Sequence, residues 1–72
     1  MAVLFVGWDG DKLLRCAISA EALADYFAGE GKDPLKVFQI NRDRIEHEAR
    51  RKYLRASFEP DGSIFIQSSD LA

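Results

Sequence analysis

The only histidine, His47, and the only cysteine, Cys16, are the two side chains whose types alone suggest catalysis. An imidazole can move a proton near neutral pH, and a thiolate can attack an electrophile. Neither finds a companion in the sequence. His47 lies four residues after Asp43 and four before Arg51, on the solvated side of a helical pattern, with no second aligned group for acid–base work. Cys16 lies mid-strand on a face expected to point inward, where a cysteine is ordinarily an inert small hydrophobe. One histidine, one cysteine and scattered carboxylates do not make a tetrahedral ligand set, so no metal and no cofactor is expected. Glu46 and Glu48 are two apart on a helix and diverge around its axis, which rules out a paired acid and base. Gly29-Glu30-Gly31-Lys32 lacks the full Gly-x4-Gly-Lys-Ser/Thr pattern of a phosphate loop and follows a helix rather than a strand. The expectation is a protein that is not an enzyme.

Three other sets of residues suit binding. Arg44, Arg50, Arg51, Lys52 and Arg55 concentrate positive charge, with Tyr53 nearby for stacking; the segment from Arg42 to Arg55 carries a net +3 against −5 for the rest of the chain. That is a candidate nucleic-acid contact, though the same charges also read as a solvated helix face laced by pairs four residues apart. Asn41, Arg42 and Glu46 are a candidate polar contact, set against a simpler reading in which Arg42 lays its stem on the core and pairs with Glu46. Leu4, Val6, Trp8 and Leu13 are surplus apolar side chains in the first two strands and form a candidate protein interface.

The elements that must position these residues can be read in order. Ala2 to Trp8 and Lys12 to Ile18 are apolar runs separated by Asp9-Gly10, which predicts a hairpin. Alternation directs Leu14, Cys16 and Ile18 inward, and leaves Leu13, Arg15 and Ala17 on the other face. Both faces of the first strand are apolar, so its register depends on whether the loop has two residues or three. Whichever face is inward, apolar side chains remain on the other, to be covered by the C-terminal residues, a second copy or another protein. Ser19 is a predicted N-cap, with Glu21 in the first turn and Leu23, Tyr26 and Phe27 as the buried edge of a short helix. Gly29 and Gly31 end it.

Asp33-Pro34 then opens a long predicted helix that runs to about Leu54. Leu35, Phe38, Arg42, Ile45, Ala49 and Tyr53 recur at three- and four-residue steps and form its core stripe. Pro60-Asp61-Gly62 predicts the turn of a second hairpin with Phe58, Ile64 and Ile66 on a common face, and the polar tail from Ser68 to Ala72 is expected to fray.

Composition sets the outer limits. Seventy-two residues, 47% of them hydrophobic, with a formal charge of −2, describe one globular domain rather than a disordered or strongly basic chain. A domain this small is expected to be stable by about 4 to 11 kcal/mol, so a partner or a second copy would add usefully to it. The single cysteine excludes an internal disulfide framework and suits a reducing compartment. The apolar start meets Asp9 at once and reads as neither a signal peptide nor a membrane span, so no membrane association and a cytoplasmic location are expected.

Several of these pieces also carry a resemblance. FVGWDGDKLLRCAIS followed by AEAL, then Phe38, Asn41-Arg42, Ile45-Glu46, Ala49 and Lys52, and finally Asp61-Gly62-Ser63-Ile64 with Ser69-Asp70, resemble the small bacterial proteins grouped as domain of unknown function 1488. The resemblance spans Phe5 to Asp70 and rests on the order of the pieces together. It implies an α+β domain from a bacterium, with no established activity to transfer. The resulting expectation is a small single α+β domain of order β-β-α-α-β-β, its antiparallel strands packed on the long helix. Its expected function is non-catalytic interaction with another protein or with itself as a homodimer, through the first hairpin. The alternative is nucleic-acid contact through the basic half of the long helix.

Overall fold

Gly10 and Asp11 close the first hairpin as a two-residue loop, which settles the register. The computed structural model, which describes residues 1–72, pairs β1 (Ala2–Asp9) with β2 (Lys12–Ser19) antiparallel, from Asp9 opposite Lys12 to Ala2 opposite Ser19. Gly10 has φ +59° while Asp11 stays at negative φ, the pattern of a primed turn with glycine first. The consequence is a fixed phase. Val3 and Phe5 point inward with Leu14, Cys16 and Ile18, and the other apolar set of β1 points out.

β2 runs straight into α1 (Ala20–Tyr26), whose first turn is capped by the Ser19 hydroxyl accepting the Ala22 amide at 3.0 Å. Ala22, Leu23 and Phe27 are buried, whereas Tyr26, expected on the buried edge, is 40% exposed. It is the last residue of α1 and lines an open cleft beside α3 and α4.

The predicted long helix is two helices. α2 (Pro34–Ile40) starts at Asp33, whose Oδ1 accepts the Leu35 amide at 3.1 Å, and α3 (Arg42–Leu54) follows after a break at Asn41. Asn41 sits at φ −108°, ψ 17°, and its side-chain amide donates to the Val37 carbonyl at 2.9 Å. Short amide side chains compete with the backbone ladder in this way and locally interrupt helices. The break redirects α2 so that Val37 joins Phe38 in the core, and Leu35, expected on the stripe, is left 51% exposed. Phe38 meets Phe5 with ring centroids 5.0 Å apart. In α3, Ile45 and Ala49 are buried as the spacing required, while Arg42 lies outside on the helix surface.

The turn after α3 forms as expected, with Gly62 at φ +86° and its amide donating to the Glu59 carbonyl at 2.8 Å. The second hairpin does not. Phe58 is outside any strand, and β3 (Ile64–Ile66) pairs instead with β2, parallel, with Cys16 opposite Ile64 and Ile18 opposite Ile66. A parallel neighbour requires a long crossover, and α1, α2 and α3 supply it. This placement drives Ile64 and Ile66 into the core at 1% and 0% exposure, which a solvent-edge hairpin would not achieve. The sheet is therefore mixed, in the order β1-β2-β3, with the helices on one face only. The α+β class stands; the third expected strand, around Phe58, is a loop, and the fourth is β3.

The tail does not fray. α4 (Ser68–Leu71) begins after Gln67, whose amide donates to Asp70 Oδ2 at 2.8 Å. No helix is long and apolar enough to cross a membrane.

Candidate functional site: the outward face of the sheet

With the helices on one face, the alternating residues of the other face have no cover from the chain itself. Three rungs of the hairpin present them in order: Leu4 opposite Ala17, Val6 opposite Arg15, and Trp8 opposite Leu13. Phe65 of β3 adjoins Ala17 and extends the first rung. The four apolar residues singled out in the sequence share this face, Leu4 at 81% exposure, Trp8 at 61%, Leu13 at 50% and Val6 at 38%. They do so because both strands keep period two across a two-residue loop.

The face is not flat. Leu4, Val6, Ala17 and Phe65 line a groove of about 560 Å³ with a polar rim of Arg15, Glu59 and Asp61. An Arg15 guanidinium nitrogen donates to the Asp61 carbonyl at 3.4 Å. The hydroxyl and the amide of Ser63 donate to Asp61 at 2.6 and 2.9 Å and hold its carboxyl below the usual carboxylate range. At the opposite end of the face Trp8 and Leu13 project as large, half-exposed side chains.

The basic set is divided among three places. Arg44, Arg51 and Arg55 surround His47 in a second cleft between α1, α3 and α4, together with Asp43, Glu48 and Asp70. Arg51 pairs with Glu48 at 3.2 Å, and the Arg44 guanidinium lies 4.9 Å from the centre of the Phe27 ring. Arg50 lines a smaller cleft beside Trp8. Lys52 lies between the second cleft and the core. It is 7% exposed, and its ammonium donates to the Phe65 carbonyl at 2.6 Å and to Asp70 Oδ2 at 2.9 Å. The expectation that Lys52 contacts nucleic acid is thus corrected: a side chain four residues from Glu48 along α3 turns onto the β3–α4 junction, and its charge is consumed there. Tyr53 is half-buried and packs on Phe58 with ring centroids 5.5 Å apart, so its ring is not free to stack on a base.

Asn41, Arg42 and Glu46 are engaged within the chain. Arg42 Nε donates to Glu46 Oε2 at 2.9 Å, and the Asn41 amide is held by Val37. Cys16 and His47 both line the cleft beside Trp8, with Glu46 and Arg50. The Cys16 thiol, 5% exposed, donates to the Leu14 carbonyl at 3.6 Å instead of to the imidazole. Burial pushes that thiol up; a backbone contact at Gly7 opposes the shift, and the Glu46 charge adds to it. No three histidine, cysteine, aspartate or glutamate side chains converge as a metal set.

The model of a family described as a protein of unknown function (DUF1488) matches residues 1–66, nearly the whole chain and all three strands. The chain belongs to that family. The DUF1488 match includes every residue of the outward face and ends at Ile66, at the close of β3. No curated protein and no solved structure matches this DUF1488 chain.

Arg15, Ala17, Phe65, Glu59 and Asp61 were not singled out from the sequence as parts of one site. Alternation sets Arg15 and Ala17 on that face, and a two-residue reading of the Gly10-Asp11 loop would have set them opposite Val6 and Leu4. Phe65 required the parallel pairing of β3, for which the sequence holds no local signal.

Proposed function

We propose that this protein is a non-catalytic protein-interaction module whose binding surface is the outward face of the sheet, centred on Leu4, Val6, Trp8 and Leu13. The observation that carries this reading is the single register-phased patch of exposed aliphatic and aromatic side chains on a sheet face that no helix covers. An antiparallel face can tolerate water, but it then alternates to polar residues; here the outward positions of β1 are leucine, valine and tryptophan. An exposed tryptophan flanked by aliphatic side chains is the composition of an interface core, and the polar rim of Arg15, Glu59 and Asp61 resembles an interface edge. Cys16 supports the non-catalytic side of the reading, since burial and a neighbouring carboxylate both disfavour its thiolate.

The test is site-specific photo-crosslinking in the producing cell. A photoreactive residue at position 8 should give a discrete protein adduct, and the same residue at Glu30, exposed in the α1–α2 link, should not. No adduct from position 8, or equal adducts from both positions, would remove the reading.

A further inference from the structure

The outward face contains its own complement. The rung of Val6 and Arg15 is its centre: two residues toward the turn Trp8 stands opposite Leu13, and two residues away from it Leu4 stands opposite Ala17. One end therefore carries two large projecting side chains, and the other carries the groove floored by Ala17 between Leu4 and Phe65. At about 3.4 Å per residue, each end lies roughly 7 Å from the central rung. A two-fold axis through that rung, lying between two facing sheets and crossing the strands, superposes projection on groove in both directions at once. Such self-complementarity is the condition for an isologous interface.

We propose that a second copy of this chain covers the outward face, so that Leu13 of each copy seats over Ala17 of the other and Trp8 lies against the other's Leu4; this deepens the interaction reading above and rests on it. The area fits a weak pair of copies. The two eight-residue strands and the short third one cover roughly 300 Å² in projection, and projecting side chains bring a pair of copies to at most about 1,000 Å² buried, the size of a weak or transient interface. A dimer with a dissociation constant in the micromolar range is expected.

Sedimentation of the full chain, from low micromolar to near-millimolar concentration, tests this with two variants. Trp8→Ala/Leu13→Ala removes the projections, and Ala17→Arg fills the groove. All three positions lie on the outward face, away from the core, and thermal melts confirm that the variants fold. Wild type should dimerise, and each variant alone should associate at least about tenfold more weakly. An equimolar mixture of the two variants should associate more tightly than either alone, because the mixed pair retains one intact projection and one open groove. A mixture no tighter than its components overturns the proposal, as does a wild type that is monomeric throughout. A monomeric wild type that still gives a foreign adduct from position 8 overturns the second copy and leaves the interaction reading standing; a monomer with no adduct removes both.

Discussion

Lys52 Nζ lies 2.9 Å from Asp70 Oδ2, and this contact fastens α4 to α3 across the end of β3. The same ammonium donates to the Phe65 carbonyl at 2.6 Å, and the same carboxylate accepts the Gln67 amide at 2.8 Å. A buried lysine thus converts what the sequence presents as a polar tail into an ordered last turn. Only the lysine end is well buried, with side-chain exposures of 9% for Lys52 and 24% for Asp70, so solvent screens part of the interaction.

Removing one partner should therefore be costly, because the other is left without its charge complement. Lys52→Met, which keeps the stem and deletes the ammonium, is expected to lower stability by about 2 kcal/mol in a denaturant titration. Asp70→Asn should cost less, since an amide oxygen can still accept from Gln67 and Lys52.

The same pair sets an acid limit. Partial burial opposes ionisation of Asp70, but the Gln67 amide and the Lys52 ammonium, with Arg55 further off, outweigh it and hold the carboxyl below its ordinary value. A carboxyl with a lowered folded-state pKa adds stability that is complete above its unfolded value of about 3.9 and is lost as pH falls through the lower folded value. Melting temperature should fall below about pH 4 in wild type, and the fall should be shallower in Asp70→Asn. Identical acid limbs in the two proteins would contradict the assignment.

α3 ends with Ala56 in the left-handed region at φ +56°, the Ala56 amide donating to the Tyr53 carbonyl at 3.0 Å and the Ser57 amide to the Lys52 carbonyl at 2.9 Å. These two bonds are the helix-closing pattern that ordinarily takes glycine at this position. A methyl group in left-handed backbone costs about 1 kcal/mol, so Ala56→Gly should stabilise the protein by up to about that amount despite the entropy that glycine adds to the unfolded chain. A loss of stability in the same titration would contradict this account of the helix end.

Cys16 offers a check on the proposal that the protein is not catalytic. Its sulfur is buried and its thiol form favoured, so a small alkylating reagent at neutral pH should react with the folded protein orders of magnitude more slowly than with the denatured chain. Rapid labelling of the folded protein would reopen the cleft shared with His47 as a reactive site.

The parts legible in the sequence were those with local causes. Ser19 and Asp33 cap helices where their side chains reach the next amides, Gly62 takes the left-handed turn position, and Leu14, Cys16 and Ile18 alternate inward. The parts that were not legible depend on contacts distant in sequence. Asn41 breaks the long helix although the apolar spacing continues through it, at a point where its side-chain amide also bonds the Val37 carbonyl. β3 pairs with β2 across more than forty residues, which no local pattern near Ile64 announces. Lys52 reads as one of a cluster of surface cations until Phe65 and Asp70 are placed beside it. For the outward face, the residue types were plain, and the register that joins them awaited the two-residue loop.

The protein contains one tryptophan, and it is Trp8, so its fluorescence reports the outward face directly. Measured across a concentration series with a neutral quencher, the emission of dilute wild type should be red-shifted and strongly quenched, as befits a side chain that is 61% exposed. As concentration rises the emission should move to the blue and quenching should decrease, and Ala17→Arg should abolish that change. Emission and quenching that stay constant over the whole range would show that Trp8 is never covered by a second copy, and would contradict the dimer at the centre of this account.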